Sequence, residues 1–169
     1  IKGLARPIKR NNIRTSILKE LTYIEKIVGL VFNGSLDRAH NYQMASRRRS
    51  NFRIYDGDET HFLDHPSTSG VVSLGANLAP KVWQKITGSS LNLTGDQKDY
   101  PDSLKQVWES GGYLRGLRDI YHQMPVPIVK GLLADMGIIE TSTCALPAEI
   151  PEEPKRRVKE LMAQFEDVH

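Results

Sequence analysis

The sequence contains one cysteine, Cys144, in 169 residues, so no internal disulfide can form and a reducing compartment is expected. No apolar run approaches the roughly 20 residues that a membrane span needs. A run such as Ile27-Val28-Gly29-Leu30-Val31-Phe32 suits a short strand instead. The charged, apolar, small-residue order of a secretory signal does not open the chain. Repeats longer than one strand–helix unit, low-complexity tracts and an interdomain linker are all lacking. Together these absences point to a single soluble, cytoplasmic domain with no membrane partner.

What is present is ordinary for a globular chain: 39% hydrophobic and 25% charged residues, enough to bury a core. The net charge of +3 conceals an asymmetry. Residues 1–53 carry 12 Lys/Arg against 3 Asp/Glu, which leaves the remainder acidic. Arg47-Arg48-Arg49, with Arg53 beyond, could meet phosphates. Without interleaved aromatics or a base-reading motif, the run reads better as the solvated, cationic C-terminal end of a helix. No nucleic-acid partner is expected.

Hydrophobic periods alternate along the chain. Ile17, Leu18, Leu21 and Ile24 predict a helix over 14–25, with Thr15-Ser16 offering an N-cap. Short strands are expected near 27–32, 52–56 and 70–74. Helices are expected over 36–48, after the acidic Asp58-Glu59, over 80–86, 99–124 and 128–136 with Pro125 and Pro127 between them, and over 152–165. Strand and helix in turn imply a parallel sheet with right-handed crossovers.

Four segments carry a family resemblance. "GVVSLGANLAP" resembles the eighth-strand signature of the dihydrodipicolinate synthase and N-acetylneuraminate lyase family. "IVGLVFNGSLDR" resembles its sixth strand, "FRIYDGDE" its seventh, and "MPVPIVKGLLADMGII" a segment of its C-terminal helices. The resemblance implies an α/β fold, the C-terminal half of a (β/α)8 TIM barrel. Residues 1–98 would supply strands five to eight, the first near 1–5, and their helices, and residues 99–169 a helical extension of the same domain. A closed barrel needs eight strands and about 250 residues, so the first four strands would lie outside this sequence. Ile1 is not an initiator residue, which fits an excerpted chain.

The resemblance further implies class I aldolase chemistry, a carbon–carbon lyase or synthase acting on pyruvate or a related 2-oxo acid, with no cofactor. In that family a lysine ending strand six forms a Schiff base with the ketone, and a strand-five tyrosine relays protons. Here the lysine position falls on Val31 or Leu30, depending on the register taken through a shortened loop, and the tyrosine position falls on Leu4. No lysine occurs between Gly29 and Arg38. A catalytically impaired relative is therefore expected. The alternatives are a noncatalytic interaction or regulatory subunit of an active member, or the remnant of a decayed gene. Substrate-binding candidates are Lys9, Gly57, Glu59 and Ser73. A half-barrel exposes strand edges and an inner face, so a homo-oligomer or association with the complementary half is expected.

Other residues carry weaker signals. His61 and His65, four apart beside Asp58, Glu59 and Asp64, have a chelating spacing, but Pro66 ends their helix and no metal is expected. His40 and His122 read as surface or satisfied histidines, Cys144 as a small loop residue, and Trp83 and Trp108 as packing between outer helices.

Overall fold

The computed structural model describes residues 13–66, 68–91, 100–145 and 149–166. The expected strand at 1–5, together with Leu4 and Lys9, lies outside them. The chain divides into two compact units, 1–54 and 55–169, each with its own apolar core.

In the first unit, α1 (Thr15–Leu21), β1 (Gly29–Phe32) and α2 (Leu36–Ser46) surround Leu18, Phe32, Ala39, Tyr42, Phe52 and Ile54. The rings of Phe32 and Tyr42 meet edge to face at 5.0 Å, a favoured aromatic geometry. Both helices end earlier than their apolar periods predict. The expected N-cap at Thr15-Ser16 is not used: Arg14 occupies that position, and neither hydroxyl caps the helix. Nor is the arginine run only a solvated helix end. Arg49 turns inward and donates to the carbonyls of Thr22, Ile24, Glu25 and Ile27, at 2.6–2.9 Å, gathering the loop between α1 and β1. The loop's own backbone serves the Ile24 carbonyl, from the Ile27 amide at 3.0 Å, and a guanidinium has enough donors to reach all four acceptors.

Strand β2 (Arg53–Asp56) is the hydrogen-bonded, parallel neighbour of β1, as the barrel order requires, and the division between units falls within it. The strand expected at 70–74 is reduced to a single parallel bridge between Asp56 and Val71. The reason is local. The Ser73 hydroxyl accepts the amide of Ala76 at 2.9 Å, and Leu74 already has helical angles before the 3₁₀ turn Gly75–Asn77. A side chain bonding its own backbone offers the chain an alternative to the sheet ladder.

The second unit continues with α3 (Glu59–Asp64), α4 (Pro80–Leu91), α5 (Tyr100–Tyr121), α6 (Pro125–Asp135) and α7 (Glu152–Glu166). The Asp58 carboxylate caps α3 by accepting from the amides of Thr60 and His61, and the helix stops two residues before Pro66. Pro125 opens α6 rather than separating helices, because proline suits the first turn, where no amide is needed. Helix α5 presents Ser110, Tyr113, Leu114, Leu117 and Tyr121 to the core at helical spacing. Trp83 is buried in that core. Trp108, two residues off the stripe, is 82% exposed and not packed between helices. Helix α7 docks through Val158, fully buried, and through the stack of Phe165 on Tyr113. Among the described residues no helix is long and apolar enough to cross a membrane.

Candidate functional site

A cleft of about 460 Å³ opens in the second unit, where β2 and the Asp56–Val71 bridge end. Its lining brings together Gly57 and Glu59 from the start of α3, Ser73 from the turn, and Arg118, Tyr121 and His122 from the end of α5. Three of the four residues singled out in the sequence thus share one wall.

Glu59 organises that wall. Its Oε1 accepts the Ser73 hydroxyl at 2.7 Å and the Gly75 amide at 2.8 Å, while its Oε2 accepts the Tyr121 hydroxyl. Charge-assisted bonds of this kind are the stronger class. Burial pushes the pKa of Tyr121 well above the ordinary tyrosine range. The hydrogen bond to Glu59 and that residue's negative charge push it further, while Arg118 acts weakly in the opposite sense. Tyr121 is therefore held as a neutral donor. Its close approach depends on Gly75, since a Cβ there would collide with the Tyr121 hydroxyl and stand 3.2 Å from Trp83 Nε1.

Behind the cleft, the buried Asp56 carboxylate accepts the Asp58 amide at 2.9 Å and pairs with His61 Nδ1. His61 is thus committed to Asp56, and its ring stands edge-on to His65 at 6.2 Å. Among the described residues no cluster of His, Cys, Asp and Glu is arranged to hold a metal ion. Arg118 pairs with the Asp119 carboxylate at 3.5 Å, and His122 Nδ1 meets the Asp119 carbonyl at 2.7 Å.

In the first unit, Leu30 packs against the core together with Phe32, whereas Val31 points to the other face and is 55% exposed. Sequence reasoning missed Tyr121 and Arg118, which lie about 60 residues from Glu59. The available signal was their spacing: three apart at the end of a long helix, with the tyrosine on its apolar stripe.

No family profile and no curated protein matches this sequence. Solved structures do match. A monomeric dihydrodipicolinate synthase variant superposes with a TM-score of 0.72 at 18% identity, over 91% of this chain and 50% of that one. The dihydrodipicolinate synthase of Thermotoga maritima superposes with a TM-score of 0.67 at 20% identity, over 90% and 51%. The chain spans about half the length of either enzyme. By fold, it is a partial barrel of the dihydrodipicolinate synthase type.

Proposed function

We propose that this chain is a catalytically impaired member of the pyruvate-dependent aldolase family, the C-terminal half of its barrel, which keeps a cleft for a small 2-oxo acid but does not form a Schiff base. The observation that carries the proposal is the lack of an amine where the chemistry needs one. Strand β1 alternates Leu30 toward the core and Val31 away from it, so Val31 takes the position that faces the lumen of a closed barrel. An isopropyl group cannot condense with a ketone. Among the described residues the cleft lining contains no lysine either. Arg118 is its cationic group and suits the carboxylate of a 2-oxo acid, while Tyr121 is a neutral donor already spent on Glu59.

The second reading, a noncatalytic interaction subunit, is favoured by apolar exposure in and beside the short strands. Val28 and Val31 are 61% and 55% exposed in the first unit, and Val72 is 54% exposed in the second. A complementary half-barrel would cover such side chains.

Borohydride trapping tests the proposal. The chain, alone and supplied with the complementary half of a barrel, is incubated with pyruvate and borohydride and read by intact mass and peptide mapping. No stoichiometric adduct is expected on a lysine of this chain. A single pyruvate-sized adduct on one of its native lysines would overturn the impaired reading.

A further inference from the structure

The strongest unassigned feature lies in the first unit, between α1 and α2. A cleft of about 380 Å³ is lined by Thr15, Ser16 and Lys19 from α1 and by Asn41, Met44 and Ala45 from α2, and it is closed by Arg47 and Arg48 just past the end of α2. The helical period puts these residues on facing sides: 15, 16 and 19 form one stripe of α1, and 41, 44, 45 and 48 continue one stripe of α2. Leu18, Ala39 and Tyr42, buried beneath, fix the two helices against each other. The cleft is therefore built on packed elements and not on a loose loop.

Its charge is one-sided. Lys19, Arg47 and Arg48 are cations, and among the described residues no carboxylate lines the cleft. Asp37 stands one turn before Asn41, and Glu20 follows Lys19, yet neither lines the cleft. The Lys19 carbonyl accepts the Thr22 hydroxyl at 2.7 Å, but among the described residues the side chains of Lys19, Arg47 and Arg48 meet no hydrogen-bond or ion-pair partner. Their neighbour Arg49 is consumed by four backbone carbonyls, so the run divides into one structural arginine and two unspent ones. Three like charges around one concavity repel each other and raise its positive potential, an arrangement that a bound anion would relieve.

We propose that this cleft binds a small phosphate-bearing metabolite with at least two negative charges. Guanidinium groups match phosphate oxygens in bidentate geometry, and the Thr15 and Ser16 hydroxyls and the Asn41 amide add neutral donors. Met44 and Ala45 give the non-phosphate part an apolar surface. Among the described residues no aromatic side chain lines the cleft to stack a base, and its volume suits a small molecule rather than a strand, so nucleic acid is the weaker source of the phosphate. The proposal uses only residues 15–48 and is independent of whether the other cleft holds a 2-oxo acid.

The test is titration of the full chain with inorganic pyrophosphate, inorganic phosphate and a short oligothymidylate, by calorimetry and by amide chemical shifts, at about 150 mM salt. Pyrophosphate should bind saturably and more tightly than phosphate, shift amides within 15–19 and 41–48, and weaken as salt rises. Joint replacement Arg47→Ala and Arg48→Ala should weaken it at least about tenfold, and Lys19→Ala severalfold. Arg156→Ala with Lys159→Ala, on α7, should change nothing. Both arginines of the cleft are exposed, so the fold should survive their loss. If the double variant nevertheless unfolds, Arg47→Gln and Arg48→Gln singly should each weaken binding while the circular dichroism is retained. Failure of pyrophosphate to bind saturably, or unchanged affinity in folded variants, would overturn the proposal. So would oligothymidylate binding that pyrophosphate cannot displace, which would mark a nucleic-acid surface instead.

Discussion

Replacing Gly75 by alanine probes the cleft wall most directly, because the added methyl group meets the Tyr121 hydroxyl, one of the two hydroxyls that hold Glu59. The new Cβ would collide with the Tyr121 hydroxyl and would stand 3.2 Å from Trp83 Nε1 and 3.3 Å from Tyr121 Cζ. Trp83 and Tyr121 are 4% and 3% exposed, so neither ring has solvent to move into. Overpacking of this kind costs about 1–3 kcal/mol. Removing the hydroxyl instead, with Tyr121→Phe, takes one donor from the Glu59 carboxylate and costs about 1.5–3 kcal/mol, the range for a hydrogen bond to a charged group. The two changes should not add. Without the hydroxyl the collision is gone, and Gly75→Ala in the phenylalanine background should cost under about 1 kcal/mol, leaving the double variant roughly 1–2 kcal/mol short of the sum. Urea unfolding read by Trp83 fluorescence measures each corner of the cycle, and with a slope of about 2 kcal/mol/M a 2 kcal/mol loss moves the midpoint by roughly 1 M. Additivity to within about 0.5 kcal/mol would show that the glycine is not there for the tyrosine, and the account of the wall would fail.

Three further outcomes follow from other contacts. Tyr121 is the more basic phenolate in the folded state, so its contribution to stability is intact below the ordinary tyrosine value near 10 and is lost as pH rises beyond it; an alkaline unfolding series should show that decline, and Tyr121→Phe should flatten it. Asp135, whose pKa is lowered by hydrogen bonds from Lys159 and Lys155 of α7, runs the other way: its contribution, under about 1 kcal/mol at this partly exposed site, is present at neutral pH and fades as pH falls through its folded value, and Asp135→Asn should remove that dependence in an acid titration. Arg49→Ala should destabilise the first unit by about 2–3 kcal/mol, with Arg49→Lys recovering only a part, measured by denaturant midpoint; an unchanged midpoint would mean that the carbonyls of the 22–27 loop are served equally well by water.

Much of this architecture is written in local signals. Asp58 ahead of an acidic turn, Pro80 at a helix start and the apolar stripe of α7 each specify an element without help from distant contacts. The segment at 70–74 is different. Val71 and Val72 have strand propensity, but Ser73 bonds Glu59 and the amide of Ala76, and that pairing across 14 residues overrides the propensity. Trp108 shows the same limit: a large apolar residue predicts burial, yet the phase of α5 is set by the stripe through Leu114 and Leu117, and Trp108 falls outside it. Within the cleft, Gly57, Glu59 and Ser73 are legible through the family resemblance, the first two at the end of its seventh-strand segment and Ser73 within its eighth. Tyr121 and Arg118 approach through the packing of α5 against α3, a contact with no signature in either segment alone.

The three bonds to Glu59 also bear on how the cleft breathes. They tie the start of α3, the 73–76 turn and the last turn of α5 to one carboxylate, so none of these can move without breaking charge-assisted bonds in a partly buried place. That side of the cleft should behave as one rigid plate, with slow amide exchange and no independent microsecond motion. Compliance is then left to the rim just past α5, where His122 is exposed and the chain turns through Met124 into the proline that opens α6. A guest would enter and leave by displacing that rim, and its residence time would be set there, away from the groups that hold the wall together.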